Sequence, residues 1–262
     1  MPFAVVRRVA IAATALLVVG RGAHEQTPTH AYGLNGTFAD ALGGPSIEGL
    51  GGSLQSTGYR FGANQGLKLT GALNTDVYSV EFVFALDDVS QWNYRKLVDY
   101  TNLTSDRGLY SSLGYPELYP EAMSSAPVFA SHKPTQLVIT RDASNLFSAY
   151  VNGALVLSLT DNGGAAMFPT IGGMSVGHFL VDDQETAGVE SASGFVDYLR
   201  VYDQALSSRE VAGLYTPEQW RIPSTKPDWC VTATPEPTTL FLMSGGLVVI
   251  LGVSRQRRRR TV

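Results

Sequence analysis

Between Tyr59 and Asp203 apolar side chains recur at every second position in short runs separated by turn residues. That period admits little besides antiparallel sheet with one face buried. The clearest run is Tyr78 to Leu86, where Tyr78, Val80, Phe82, Phe84 and Leu86 share one face and Ser79 and Glu81 take the other. Leu137 and Ile139 share a face in the strand that enters the polar turn at 141–145. Phe147 to Val151 leads into Asn152-Gly153, a dipeptide that accepts the positive φ values of a type I′ turn, and then into Leu155, Leu157 and Leu159 on a single face. The last strand, Phe195 to Asp203, precedes a helix start. Ser207 and Glu210 form a capping-box pair, with Leu206 and Val211 at the staple positions, which predicts a short helix to about Tyr215 sealing the edge of the sandwich.

Both ends of the chain depart from this pattern. Arg7 and Arg8, the apolar run Val9 to Val19 and small residues at Gly20 to Ala23 have the three-part layout of a secretory signal over 1–23, with cleavage placed between Gly20 and Ala31. An apolar run of about eleven residues is well short of the roughly twenty that a membrane span needs, which disfavours an uncleaved anchor. Pro217, Pro223 and Pro227 mark residues 216–234 as an extended linker. Thr238 to Val253 is then almost free of polar side chains and is followed by Arg255 and Arg257 to Arg260. As a helix it covers roughly 24 Å, a little less than the hydrocarbon thickness of about 30 Å, and the arginines would keep the tail cytoplasmic and the body outside.

Setting these ends aside leaves a body of about 185 residues, enough for one domain with a full core. Cys230 is the only cysteine, so no disulfide within the chain can stabilise the fold and the core must do so. The formal net charge is -4, and outside the termini no basic stripe exists to neutralise phosphates, which excludes nucleic acid as a partner.

Three segments carry a resemblance: 137–142 (LVITRD), 149–156 (AYVNGALV) and 194–211 (GFVDYLRVYDQALSSREV). Together they are similar to the second half of LamG-like, concanavalin A-type jelly-roll domains. Residues 59–61, 66–69 and the strand from Tyr78 are consistent with the first half. The resemblance implies an all-β, two-sheet antiparallel sandwich over about 32–215, flanked by terminal hydrophobic helices. The order Pro235-Glu236-Pro237, apolar helix and Arg257, Arg258, Arg259 and Arg260 resembles a PEP-CTERM sorting signal over 235–260. This implies a Gram-negative exported protein handled by signal peptidase and then by a dedicated membrane peptidase. The body would be anchored transiently at the inner membrane, on its periplasmic side, before reaching the cell surface or extracellular matrix.

Candidate chemistry is sparse. Gly173-Met174-Ser175-Val176-Gly177 has the spacing of a nucleophile elbow, with His178 or His132 as nominal bases, but that motif works only between a parallel strand and a helix. No strand carries the two carboxylates that a glycosidase would aim at a sugar, and no Cys/His set has zinc spacing. Calcium is the cofactor that the oxygen donors would suit, with Asp182, Asp183 and Asp197 as candidate ligands, Glu185 beside them and Asp87 and Asp88 in a second cluster. Acidic loops are more often simply solvated; Asp197, by alternation on the face of Leu199 and Val201, should be buried and hydrogen-bonded. Trp92, Tyr94, Tyr100, Tyr110, Tyr115 and Tyr119 are grouped between two strands and partly in loops, and their faces suit stacking on sugars. Packing over the sandwich edge is the competing explanation. The expected function is a non-enzymatic exported module that binds carbohydrate, such as extracellular polysaccharide, or another extracellular polymer. The alternatives are a polysaccharide hydrolase and a purely structural matrix protein.

Overall fold

The computed structural model describes residues 26–89 and 94–216. Elements in chain order begin with β1 (His30–Tyr32), β2 (Glu48–Gly49), β3 (Ser53–Gln55), β4 (Gly58–Phe61), β5 (Leu67–Thr70) and β6 (Tyr78–Leu86). β7 (Tyr94–Asp99), β8 (Gly108–Ser112), β9 (Tyr115–Tyr119), β10 (Ala122–Met123) and β11 (Thr135–Arg141) follow. The chain continues with β12 (Leu146–Val151), β13 (Ala154–Thr160), β14 (Thr170–Ile171), β15 (Met174–Phe179), β16 (Gly194–Tyr202) and α1 (Ser208–Leu214). The signal segment 1–23, the linker after 216, Cys230 and the sorting signal with its apolar stretch lie outside the described residues. Among the described residues no helix is long and apolar enough to cross a membrane.

Two antiparallel sheets form the sandwich. The first runs β13-β12-β11-β6-β16-β4-β3 with β1 on β16, and the second runs β10-β9-β8-β7-β15-β5-β2 with β14 on β15. Consecutive hairpins such as β7–β8–β9 and β11–β12–β13 are joined into sheets by pairs from distant parts of the chain, β6 with β11 and β16 in the first sheet and β15 with β5 and β7 in the second. β6 is central to the first sheet: Phe82 stands opposite Leu137 on one side and Leu199 on the other, and Val80 opposite Ile139 and Val201. The second sheet closes on these rows with Leu97, Leu109, Leu118 and Phe179, all buried in the same core. Full burial of each such side chain contributes about 1.5–3 kcal/mol.

The expected strand at Tyr78–Leu86 and the Asn152-Gly153 turn are present, with positive φ at both turn residues (51° and 78°). Three expectations are corrected. Ser79 and Glu81 do not face solvent, because a bulge at Asp197 sends Tyr198, Arg200 and Tyr202 to the outer face over β6. There Glu81 Oε1 accepts from Tyr198 Oη (2.7 Å) and Gln136 Nε2 (2.9 Å), and Glu81 Oε2 accepts from Tyr202 Oη (2.8 Å). The helix α1, with the capping box formed by Ser207 and Glu210, lies over this outer face and does not seal an edge: Leu206 and Val211 pack on Val138, Tyr150 and Tyr202. Finally, a bulge in the β12–β13 pairing sets Leu155 opposite Tyr150 while Leu157 opposes Ala149, so Leu155 is exposed and Leu157 buried.

Candidate functional site

The outer face of the second sheet carries the side chains of interest. Strand pairing sets Lys96 opposite Tyr110, and Tyr110 opposite Glu117; Asp99 opposes Gly108, and Gly108 opposes Tyr119. Alternation then turns Tyr94, Lys96, Tyr110 and Tyr119 outward while Leu97, Leu109 and Leu118 point into the core. A Cβ on Gly108 would stand 2.6 Å from the Val98 carbonyl oxygen and 3.1 Å from Lys96 Cε, so only glycine leaves room here for the lysine stem.

Loops 100–107 and 180–193 fold over this face. The Lys96 N–H donates to the Glu190 carbonyl (2.9 Å), Leu180 N–H to the Leu97 carbonyl (2.9 Å), and Asp106 N–H to Glu185 Oε2 (2.9 Å). Together they bury Lys96 completely. Its ammonium donates to Asp183 Oδ2, to Asp99 Oδ2 (3.1 Å) and to the Ser105 carbonyl (3.3 Å), and lies 5.2 Å from the centre of the Tyr110 ring. Burial alone would raise the Asp183 carboxyl, but the lysine ammonium outweighs it and holds Asp183 below the usual carboxylate range.

At the margin of these loops Tyr94, Tyr110 and Tyr119 meet edge to face, with ring centroids 5.5, 6.0 and 6.2 Å apart. With Asp106 and Glu190 they line a pocket of about 70 Å³. The Tyr110 hydroxyl donates to Asp106 Oδ1 (2.8 Å). Glu190 is pushed up to about 7 by burial, by the charges of Asp106 and Asp182, and by a hydrogen bond shared with Asp106. The acidic neighbours disfavour a further negative charge, so at neutral pH Glu190 holds a proton for part of the time.

Of the sequence candidates, Tyr94, Tyr110 and Tyr119 come together, and they lie on strands rather than in loops. Tyr115 is on the same strand as Tyr119 but does not line the pocket. Tyr100 is a core residue, buried against Phe168 with centroids 4.9 Å apart. Trp92 lies outside the described residues. Sequence reasoning missed Lys96, Asp106 and Glu190. The lysine's alternation with Tyr94 was its one local signal, and nothing local links two acids 84 positions apart.

The candidate calcium ligands are not brought together. Asp182 and Asp183 share a buried loop, whereas Asp197 is buried in the bulge of β16 on the other sheet. Asp183 is committed to Lys96, and Asp182 Oδ2 accepts from Thr186 Oγ1 and Glu190 N–H, both at 2.9 Å. Among the described residues no three His, Cys, Asp or Glu side chains converge to hold a metal ion. In the second acidic cluster Asp87 accepts from both guanidinium nitrogens of Arg60 (2.9 and 2.5 Å).

An open trough of about 540 Å³ contains His30, Leu73, Asn74, Thr170, Met174 and Ser175. Its serine is the one at the centre of the elbow-like motif, which begins in the turn between the antiparallel strands β14 and β15 and continues along β15, with Ser175 paired to Thr170, and so lacks the strand-to-helix geometry of a nucleophile. Ser175 Oγ accepts from Leu73 N–H (3.2 Å), and His30 is held by Asp40 at 2.7 Å.

This architecture has known counterparts. The fold is similar to Trypanosoma rangeli sialidase in complex with the inhibitor DANA, at a TM-score of 0.57 and 16% identity, covering 74% of this chain and 34% of that one. The same enzyme as a covalent intermediate with 2,3-difluorosialic acid gives 0.55 and 16%, covering 71% and 32%. Domain 4 of AbnA, a GH43 arabinanase of Geobacillus stearothermophilus in complex with arabinotriose, gives 0.49 and 16%, covering 74% and 100%. The chain thus spans about a third of the sialidase's length, and at this identity the likeness is one of fold. The comparison with curated proteins found no match. Residues 233–259 match the PEP-CTERM protein-sorting motif, which marks the chain for export and surface or extracellular sorting in a Gram-negative cell through a membrane sorting peptidase, an exosortase. Residues 61–212, more than half of the chain and nearly all of the sandwich, match the family model of the concanavalin A-like lectin/glucanases superfamily, and the chain belongs to that family.

Proposed function

We propose that this exported sandwich is a non-catalytic module that binds extracellular polysaccharide at the tyrosine pocket on the outer face of its second sheet. The observation that carries this reading is the convergence of Tyr94, Tyr110 and Tyr119 from three adjacent strands around a pocket that also holds Asp106 and Glu190. Aromatic faces with nearby hydrogen-bonding groups are the chemistry that grips a sugar, and rigid strands fix their geometry before the ligand arrives. The pocket admits a substituent of a sugar and not a whole ring, so the polymer would lie across the surface with one group inserted.

A hydrolytic reading has one observation in its favour, the paired carboxyls with Glu190 pushed up to about 7. Their contact argues against it. Retaining glycosidases hold their carboxyls about 5–5.5 Å apart and inverting ones about 6.5–9.5 Å, to leave room for the anomeric carbon or a water. The test is a glycan-array measurement on the purified chain beside Tyr94→Ala and Tyr119→Ala variants, with reducing ends assayed on every glycan that binds. Saturable binding that weakens about tenfold or more in the variants, without new reducing ends, is expected. New reducing ends would replace the reading with the hydrolytic one, and silence across the array would leave a structural role.

A further inference from the structure

The tyrosine pocket is lined by two carboxyls and, among the described residues, by no cation. Lys96 has three N–H donors, and they are used on Asp183, Asp99 and the Ser105 carbonyl. Nothing of that ammonium is left for Asp106 and Glu190, which face the pocket. Behind them Asp182 is buried; its Oδ2 accepts from the Glu190 N–H, while Oδ1 has no hydrogen-bond partner. Three tyrosine rings complete the wall, and the negative π faces of aromatic rings attract a cation. The volume, about 70 Å³, is that of a small pocket, several times the roughly 10–15 Å³ that a single water needs.

We infer that this pocket receives the ammonium group of an amine-bearing glycan, a polymer with free amines on its hexosamine units, and this rests on the polysaccharide binding proposed above. Size selects an exocyclic substituent over a ring. Charge selects an ammonium over a hydroxyl, an acetamide, a carboxylate or a sulfate: a cation offsets the repulsion between the Asp106 and Glu190 carboxylates, whereas an anion would meet both of them and the field of Asp182. A guanidinium would suit the carboxyls as a planar fork, but it is larger and is not a common sugar substituent. The tyrosines then cover the carbon next to the amine.

The charge change is also the readout. Glu190 stands near pH 7 because of its burial and its acidic neighbours Asp106, Asp182 and Asp183, with Tyr94, Tyr110 and Tyr119 as the other titratable groups lining the pocket and Lys96 beneath Tyr110. An arriving ammonium drives off its remaining proton. Titration calorimetry on the full-length chain at about pH 6, where the hexosamine amines already carry most of their protons, would use glucosamine oligomers and N-acetylglucosamine oligomers of equal length, in two buffers of different ionisation enthalpy. The glucosamine oligomers are expected to bind about tenfold more tightly or better, with release of up to about one proton per site. Glu190→Gln and Asp106→Asn should each remove the proton release and most of the preference, while a cooperative thermal transition shows that they fold. Equal affinity for the two oligomers would overturn the ammonium inference and leave polysaccharide binding intact. Binding of polylysine as tight as that of the glucosamine oligomers would overturn the glycan as its source. No binding to either oligomer, in a chain that binds other glycans on the array, would overturn the inference alone; no binding to any glycan would remove both readings.

Discussion

The Lys96 nitrogen meets two carboxylates where no part of its side chain reaches solvent. Its stability rests on Asp183 and Asp99, and theirs on it. Lys96→Met would leave two buried carboxylates without their cation, and a loss of about 3–5 kcal/mol in urea denaturation at neutral pH is expected. Adding Asp183→Asn should restore part of that loss, since the two residues are directly coupled. Glu190 makes the opposite kind of contribution. Its carboxyl is raised from 4.5 to about 7, so between those values the folded chain binds more protons than the unfolded one, and stability falls as pH rises through that window. Glu190 is partly exposed, and solvent screening cuts the effect to about 1 kcal/mol or less. Glu190→Gln should therefore raise the melting temperature by about 2–4 °C at pH 8 and leave it nearly unchanged at pH 4; a gain that was the same at both would refute the assignment. Neither role was legible in the sequence, because each depends on acids that loops 100–107 and 180–193 bring in from far along the chain.

At the scale of elements, α1 was legible almost to the residue, since every signal for it lies within a few positions: the Ser207 cap, Glu210 at N3, and the flanking Leu206 and Val211. Ser207→Ala should cost about 1 kcal/mol and should loosen the cover over Tyr150 and Tyr202, to be followed by denaturation and by hydrogen exchange in β11 and β16. The strands from Tyr78, from Leu137 through the Asn152-Gly153 turn and from Phe195 were equally plain, but β7, β8 and β9 were read partly as loops, and the faces beyond each bulge were not legible. A bulge adds one residue to one strand of a pair and inverts the alternation beyond it, which is how Leu155 left the face of Leu157 and how Tyr198 and Tyr202 came to satisfy Glu81. The β7–β8 pair is closely constrained at Gly108. Gly108→Ala would press a Cβ against the Val98 carbonyl, and a cost of about 1–3 kcal/mol together with loss of glycan binding is expected from melting and binding curves on the same protein.

For the whole molecule, the sandwich and the sorting motif make separate contributions, one of surface and one of address. Replacing Pro235, Glu236 and Pro237 by alanine in the native host should keep the chain in the membrane fraction at its unprocessed mass, whereas the unaltered chain leaves that fraction shortened; immunoblots of the fractions decide between them. The address could be read directly because it is written in consecutive residues: Pro-Glu-Pro, an apolar run and terminal arginines. So could the all-β class, because period two and turn dipeptides are properties of neighbours in sequence. Three of the tyrosines were nominated from the same local crowding. What only the tertiary structure decided is which of them meet: Tyr94, Tyr110 and Tyr119 share a pocket while Tyr100 is committed to the core. It also decided that the cation among the acidic side chains is the chain's own Lys96, and that Asp106 and Glu190 share a hydrogen bond at a pocket that no cation among the described residues lines. The reason is physical: side-chain direction follows from near neighbours, whereas burial, charge balance and proton sharing follow from distances that exist only once two sheets and their covering loops have closed.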